Sequence, residues 1–350
     1  MRRHLDRVGW PGLCGLALLA VWVSWSAAVG IRLDQGFSLT SPYLVAPIVL
    51  VLGVAGGQAL VRYAGDSRLH VALAVVCGLL ILGVLLTSEP GKEPLGYANA
   101  NAALAVQLVG LCGLALLATP PGRRRTLVAA LILGVVAVAL NRSAAGLAVA
   151  VPVVAAIGCV MWRRPTHRWW AVVLGVLVAG TGAAVIRRLA EGPTFPSWAG
   201  GIFDTVRERL WHDAVALWQR RPLTGAGPGS FRDATALSID PDTSTAHSSV
   251  LQIGAETGWI GVALFGLIVL TGMLWAARGK APQAIVAVAA WTALVVHSYA
   301  DHLLEFAPVV LTAGLVLGWA AATRTSGSVN PEQLDSEQLD VAERERPFAG

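Results

Sequence analysis

Long apolar runs separated by short polar segments occupy most of the chain. Most runs are about 18 residues or longer, the length that crosses roughly 30 Å of hydrocarbon as a helix. A bilayer interior offers no water to backbone groups, so a spanning segment is either a helix or a strand of a closed barrel. The runs lack the two-residue alternation of barrel strands. We therefore predict an all-α polytopic membrane bundle of about ten transmembrane helices, near residues 10–30, 43–61, 69–87, 99–118, 126–140, 143–162, 169–186, 248–276, 283–300 and 304–322.

The charged residues predict an orientation for this bundle. Hydrophobic residues make up 55% of the chain and charged residues 13%, with a net charge of +5. A basic balance can indicate a nucleic-acid partner, but most cations here fall on alternate short loops: Arg2, Arg3 and Arg7; Arg62 and Arg68; Arg123 to Arg125; Arg163, Arg164 and Arg168; Arg278 and Lys280. The opposite short loops carry Arg32, Lys92 and Arg142. Because cytoplasmic loops collect Lys and Arg, both termini are predicted in the cytoplasm, and the membrane replaces nucleic acid as the expected partner.

The runs divide the chain into four parts. Residues 1–186 are predicted to form the N-terminal transmembrane helices, 187–246 an extracytoplasmic loop, and 247–322 the C-terminal transmembrane helices. The polar tail, 323–350, is predicted to be a disordered cytoplasmic end. The glycines between Gly53 and Gly57 suit close helix packing. The cysteines lie inside apolar runs and are interpreted as small core residues, not as disulfides or metal ligands: Cys14, Cys77, Cys112 and Cys159.

The long loop contains one predicted amphipathic helix, from Phe203 to Arg221. Its apolar residues recur at spacings of three and four, at Phe203, Val206, Leu210, Ala214, Leu217 and Trp218. Such a helix is expected to lie on the membrane or to cap the bundle. Arg207 falls inside the apolar stripe, one turn before Trp211, and Arg221 lands near it. A cation on a buried face needs an anionic partner, which singles out Arg207.

Four further polar residues lie at the ends of apolar runs or within one. His247 opens a span and is either a proton-transferring group or a helix cap. Glu256 lies about two turns further along the same span, where a carboxylate marks function or makes a packing hydrogen bond. Arg142 occupies a short turn between two spans, as a snorkelling anchor or a phosphate ligand. Asn101 opens another span, as a cap or as a residue facing a polar cavity.

Between about 130 and 275, four motifs follow one another. They are Asn141-Arg142-Ser143-Ala144 at the start of a span, Arg207 four residues before Trp211, the run from Arg221-Pro222 to Phe231, and His247 through Glu256-Thr257-Gly258. In this order they resemble the O-antigen ligase and polymerase superfamily of bacterial envelope enzymes. Ser248 follows the histidine where that family usually has Asn.

The resemblance implies a metal-independent glycosyltransferase without a cofactor, acting in cell-surface polysaccharide biosynthesis. It implies transfer of a glycan from an undecaprenyl diphosphate carrier to an acceptor hydroxyl of a lipid or glycan, at the outer face of the bacterial cytoplasmic membrane. His247 then corresponds to the general base, and Arg142 and Arg207 to the groups that hold the diphosphate. Arg221, Glu256 and Asn101 are candidate supporting residues. The superfamily contains both ligases and repeat-unit polymerases, and these two activities stay open.

Two interpretations from other classes stay open beside this one. A lipid-linked sugar transporter or flippase would fit the many spans, although no internal repeat is evident and the polar groups gather at one membrane face. A divalent metal would suit the residue types around the last external turn, at His297, Asp301, His302 and Glu305. Helix capping is the simpler explanation for Asp301.

Overall fold

The computed structural model describes residues 2–87, 94–163, 165–237 and 243–323, with side chains from Gly12 onward. These residues form thirteen α-helices and no β-strand: α1 (Arg2–Arg32), α2 (Pro42–Leu60), α3 (Ser67–Leu86), α4 (Ala98–Ala118), α5 (Arg125–Leu140), α6 (Ala144–Arg163), α7 (Trp169–Glu191), α8 (Ser197–Gly200), α9 (Thr205–Arg220), α10 (Ser230–Ala234), α11 (Ser249–Ala276), α12 (Ala281–Tyr299) and α13 (Ala307–Ala322). The predicted disordered tail from 324 onward, Lys92, Arg164 and the side chains of Arg2, Arg3 and Arg7 lie outside the described residues.

The helices confirm the prediction of an all-α polytopic membrane bundle. In the described part of the chain, eight helices are long and apolar enough to cross a membrane: α1 from Gly12, α2 extended to Tyr63, α3, α4, α6, α7, α11 and α12. Two shorter apolar helices, α5 and α13, have 16 residues each and coincide with the two remaining predicted spans.

Helix α4 forms the centre of the bundle. In its most apolar 18-residue window 89% of the residues are buried, against 11% in the window of α2. It packs against α5, α6, α12 and α13. Within it, Gln107 donates a hydrogen bond from Nε2 to the Ala290 carbonyl of α12 at 3.0 Å. Residues just before and at the start of α4 therefore reach the middle of one end of the bundle.

Glycines let α2 and α13 pack with their backbones in contact. A Cβ added at Gly53 would overlap the Leu311 carbonyl, and one added at Gly314 would stand 2.6 Å from the Leu50 carbonyl. Without a hydrophobic driving force between helices in lipid, such close approach is a main source of attraction. The predicted role of the glycines around Gly53 is confirmed.

Helix α11 is broken at Gly258, and the loop after α9 fills the break. Gly258 has φ 69° and ψ −169°, which interrupts the helical hydrogen bonds. The Trp259 N–H donates to the Pro222 carbonyl at 2.8 Å, and the Gly227 N–H donates to the Glu256 carbonyl at 2.9 Å. The freed groups are thus paired within the protein, as a membrane-embedded backbone requires. The loop and the first half of α11 form one rigid unit.

The predicted loop helix is present as α9, and it packs on the bundle. Its buried residues are Leu210, Trp211, Ala214, Val215, Leu217 and Trp218. They pack against α11 and α7. The helix starts later than predicted, at Thr205, because Asp204 caps it by accepting a 2.7 Å hydrogen bond from the Arg207 N–H.

Candidate active site

Asp301 lies at the centre of a polar cluster in the turn between α12 and α13. Its side chain is 1% exposed. Oδ2 accepts hydrogen bonds from the Tyr97 hydroxyl at 2.7 Å and from Asn99 Nδ2 at 2.5 Å. Oδ1 lies 2.9 Å from His302 Nδ1 and 3.3 Å from His247 Nδ1. A buried carboxylate with this many partners is held rigidly.

His247 precedes α11 in a left-handed backbone conformation, with φ 45°. Ser248 follows it as the N-cap of α11, accepting from the Leu251 N–H at 3.5 Å. The Ser249 N–H and hydroxyl both donate to the Asp301 carbonyl, at 3.0 and 3.2 Å. These bonds fasten the start of α11 to the turn after α12. The imidazole is therefore placed beside Asp301 by backbone as well as side-chain contacts.

Arg207 reaches the same cluster from α9. Its Nη1 donates to Asp204 Oδ2 at 2.9 Å, while Nη2 lies 3.5 Å from Asp301 Oδ2 and 3.4 Å from the Tyr97 hydroxyl. The side chain is 19% exposed, and its buried Nε has no hydrogen-bond partner among the described residues. The anionic partners of Arg207 within the chain are thus the carboxylates of Asp204 and Asp301. One N–H of the guanidinium therefore lacks an acceptor in the part of the chain that the structure describes.

The charges around Asp301 alter its ionisation and that of its neighbours. Burial alone would raise the pKa of Asp301, but hydrogen bonds from His247 and His302 hold that pKa well below its usual range. Burial alone would lower the pKa of His302, and the Asp301 carboxylate outweighs it and raises that pKa. Burial, and then the Asp301 charge, raises the pKa of the Tyr97 hydroxyl. Asp301 is accordingly an anion, and Tyr97 a neutral hydrogen-bond donor.

Arg142 lies at the same end of the bundle but outside the cluster. It occupies the turn between α5 and α6 with φ 52°, and its side chain is exposed. A Cβ at Gly146, on the first turn of α6, would stand 2.7 Å from the Ala102 Cβ on α4. The start of α6 is thus adjacent to the start of α4, which Tyr97 precedes. Among the described residues the guanidinium contacts neither Arg207 nor His247.

The three candidate supporting residues occupy different places. Asn101 is buried and accepts from the Leu95 N–H at 3.2 Å, which fixes the turn before α4. Glu256 is 1% exposed and accepts from the Phe231 N–H at 3.3 Å, so it holds α10 against α11. Arg221 is exposed beside Thr224 in the loop that fills the α11 break. None of their side chains has a described contact with Asp301.

Two comparisons with known proteins found similarity to glycan-transferring membrane proteins. A sequence model of the O-antigen ligase family matches residues 127–266. A general O-oligosaccharyltransferase from Acinetobacter baylyi is 26% identical in an alignment of 180 positions that covers 45% of this chain and 31% of the relative. The chain therefore spans about a third of the length of this curated relative.

Over these residues the chain is similar to the O-antigen ligase family. The matched region contains Arg142, Arg207 and His247. It ends before Asp301 and begins after Tyr97. Tyr97 and Asp301, which join the cluster in the structure, therefore lie outside the matched region.

Sequence reasoning gave Asp301 the wrong role and missed Tyr97 and Asn99. Helix capping does not account for Asp301, because its carboxylate binds side chains from α4, α9 and the start of α11 instead of the first turn of α13. Tyr97 and Asn99 flank the start of α4, where the sequence pattern predicts a cap or a cavity-facing residue only at Asn101. A buried acid beside His302, in a short turn between spans, was the available signal for a site.

A metal would find three potential ligand atoms in the cluster. One atom each of His247, Asp301 and His302 lies within 4.8 Å of the others. The predicted set differed, since it included His297 and Glu305 in place of His247. In this structure Asp301 already has Tyr97, Asn99 and two imidazoles as partners, and metal independence stays a prediction.

Proposed function

We propose that this protein is a metal-independent glycosyltransferase of the O-antigen ligase type. It moves a glycan from an undecaprenyl diphosphate carrier to an acceptor hydroxyl at the outer face of the bacterial cytoplasmic membrane, in cell-surface polysaccharide biosynthesis. The observation that carries this proposal is the convergence of His247, Asp301 and Arg207 from three distant parts of the chain. Similarity to the O-antigen ligase family over residues 127–266 supports the reaction class, and the relative named above is described as a general O-oligosaccharyltransferase.

In the proposed reaction, His247 is the general base. The Asp301 carboxylate beside Nδ1 favours the tautomer that carries its proton there, so that Nε2 has the basic lone pair. Nε2 takes the proton of the acceptor hydroxyl as its oxygen attacks the anomeric carbon of the glycan. The bond from that carbon to the diphosphate oxygen breaks, and undecaprenyl diphosphate leaves with the electron pair. Asp301 stabilises the imidazolium that forms, as a buried anion next to a new cation.

Arg207 and Arg142 are proposed to hold the diphosphate. Arg207 has a buried Nε–H without an acceptor among the described residues, and it contacts Asp301, the carboxylate that also contacts His247. A guanidinium offers a planar set of donors to phosphate oxygens and keeps its charge at every relevant pH. Arg142 is exposed at the same end of the bundle, in a backbone conformation uncommon for a residue other than glycine. A diphosphate bound between the two would draw Arg142 towards the cluster.

A transfer assay with purified protein tests the proposal. The protein is supplied with lipid-linked glycan donor and acceptor in detergent, without any ion gradient, and product is followed over time. We expect transfer, and a loss of about 10²–10⁴-fold in His247→Ala, the usual contribution of a general base. Arg207→Lys keeps the charge but loses the planar donor set, and should also be strongly impaired. Full activity in His247→Ala contradicts the assigned base, and absence of transfer with gradient-dependent movement of the lipid-linked sugar would identify a transporter.

A further inference from the structure

A second cationic pocket lies away from the Asp301 cluster, between the end of α1 and the loop after α9. It is a cavity of about 530 Å³ lined by Trp25, Ala28, Val29, Arg32, Leu33, Arg221 and Thr224. Two arginines thus face one cavity, and no acidic side chain lines it. Within the described part of the chain, neither guanidinium has a hydrogen-bond or ion-pair partner. Two unpaired cations around one cavity repel each other unless an anion lies between them.

The backbone that carries both arginines is held in place. Arg221 accepts at its carbonyl from the Gly225 N–H at 2.8 Å, and the next residue, Pro222, accepts from Trp259 across the α11 break. On the other side, Trp25 Nε1 donates to the Thr257 carbonyl at 3.0 Å, which fixes α1 against α11. The pocket is therefore part of the rigid unit around Gly258. A site whose backbone is already ordered loses little conformational entropy when it binds.

The walls of the pocket indicate an amphiphilic ligand. The pocket has an apolar side formed by Trp25, Ala28, Val29 and Leu33. Leu223, two residues after Arg221, is 65% exposed. Nearby, Arg187 stacks on Trp218 and on Trp259, with its guanidinium carbon 4.9 and 4.2 Å from the ring centroids. Tryptophan and arginine together are typical of the membrane–water interface. Lipid phosphates lie at this depth, and hydrocarbon chains begin just below it.

We propose that Arg32 and Arg221 bind the phosphate of an anionic membrane lipid, whose chain lies against the apolar wall of Trp25 and Val29. A guanidinium group binds phosphate oxygens through two parallel hydrogen bonds, and two arginines line this one cavity. The site is separate from the proposed diphosphate site at Arg207. The lipid proposed for the Arg32 and Arg221 pocket would stay bound, at the end of the bundle that also holds the reacting groups. The proposal does not depend on the transfer reaction.

Lipid binding to the full chain tests this site. The purified protein in neutral detergent is titrated with short-chain phosphatidylglycerol or phosphatidylcholine, and bound lipid is counted by native mass spectrometry. We expect tighter binding of phosphatidylglycerol, with about a tenfold loss in Arg32→Gln and again in Arg221→Gln, because hydrogen bonds to charged groups have this strength. Arg220→Gln is the matched control, since Arg220 is exposed next to Arg221 but does not line the pocket. Arg32→Lys and Arg221→Lys should keep part of the preference.

Inorganic phosphate distinguishes a lipid headgroup from a free anion. Sodium phosphate is added in place of sodium chloride at constant ionic strength, so that screening is unchanged. We expect phosphate to displace phosphatidylglycerol only weakly, because it makes no contact with the apolar wall. If inorganic phosphate displaces phosphatidylglycerol at a concentration similar to that at which phosphatidylglycerol itself binds, the assignment to a lipid is wrong. Equal binding of the two lipids, or a double Gln variant that keeps the wild-type preference, would overturn the site.

Discussion

Replacing Asp301 by asparagine separates its charge from its shape. Asn is nearly the same size, so the cavity around the side chain stays filled, while the anion that faces His247, His302 and Arg207 is lost. The Nδ1 proton of His247 then has no carboxylate to hold its tautomer or to stabilise the imidazolium. General-base contributions amount to about 10²–10⁴-fold, so Asp301→Asn should lose a large part of that factor in transfer rate.

The same substitution should also lower the free energy of unfolding. Removing one partner of a buried ion pair typically destabilises a protein by about 3–5 kcal/mol. Here Arg207 keeps Asp204 at 2.9 Å and is 19% exposed, so water screens part of the loss. A destabilisation of about 1–3 kcal/mol, the range for a polar group left unsatisfied, is the better expectation.

Asp204→Asn is the matched control for Asp301→Asn. Both carboxylates contact Arg207, but the Asp204 side chain is 57% exposed and does not touch His247. An exposed ion pair contributes about 0–1 kcal/mol, so this variant should stay folded and transfer glycan at a rate within a few-fold of wild type. Transfer is assayed with lipid-linked donor and acceptor, and folding by thermal unfolding in detergent. A folded Asp301→Asn protein with a wild-type rate would refute the assigned role of Asp301.

Three further predictions concern the break in α11, the protonation of His302 and the absence of a metal. Gly258→Ala should destabilise the protein by more than about 1–3 kcal/mol, because φ is 69° and the new Cβ would overlap the Leu223 carbonyl. Gly266→Ala is the control, since a Cβ at Gly266 meets no atom within 4 Å. Thermal unfolding should show this control to be neutral or slightly stabilised. Burial alone would lower the pKa of His302 in the folded state, but Asp301 outweighs it, so the pKa is raised. Protonated His302 therefore stabilises the fold. This contribution is complete below the ordinary pKa of about 6.5 and is lost as pH rises through the raised pKa. The difference in melting temperature between wild type and His302→Gln should therefore shrink from about pH 5.5 to about pH 9, and a difference that grows would contradict this ion pair. Transfer should keep its rate in EDTA, whereas a loss restored by a divalent ion would assign a metal to His247, Asp301 and His302.

Much of the fold follows from the length and spacing of the apolar runs. A run that matches the bilayer has one low-energy structure, so the helices appear close to where the pattern predicts them. Glycines such as Gly53 were recognisable because close backbone packing needs residues without side chains. The break at Gly258 was not predicted, since it depends on a loop from before α10 that supplies carbonyls to distant N–H groups.

The candidate site was predictable in part. His247 and Arg207 were identified because a titratable or charged group at an apolar boundary needs a physical reason to be there. The place where these two residues meet could not be predicted from the sequence. Asp301 and Tyr97 are 204 residues apart, and packing of α4 against the end of α12 brings them together. The anionic partner required by Arg207 could be expected as a type of group, but its position along the chain depends on tertiary structure.

The most direct test of the account compares transfer rates of His247→Ala, Asp301→Asn and the double variant under one set of conditions. If Asp301 acts through His247, removing the carboxylate matters little once the imidazole is gone, and losses of groups that act as a unit are strongly non-additive. We predict that the double variant is no more than a few-fold slower than His247→Ala alone. Losses that multiply in the double variant, or a His247→Ala protein that transfers glycan at the wild-type rate, would contradict a single site built on these two residues.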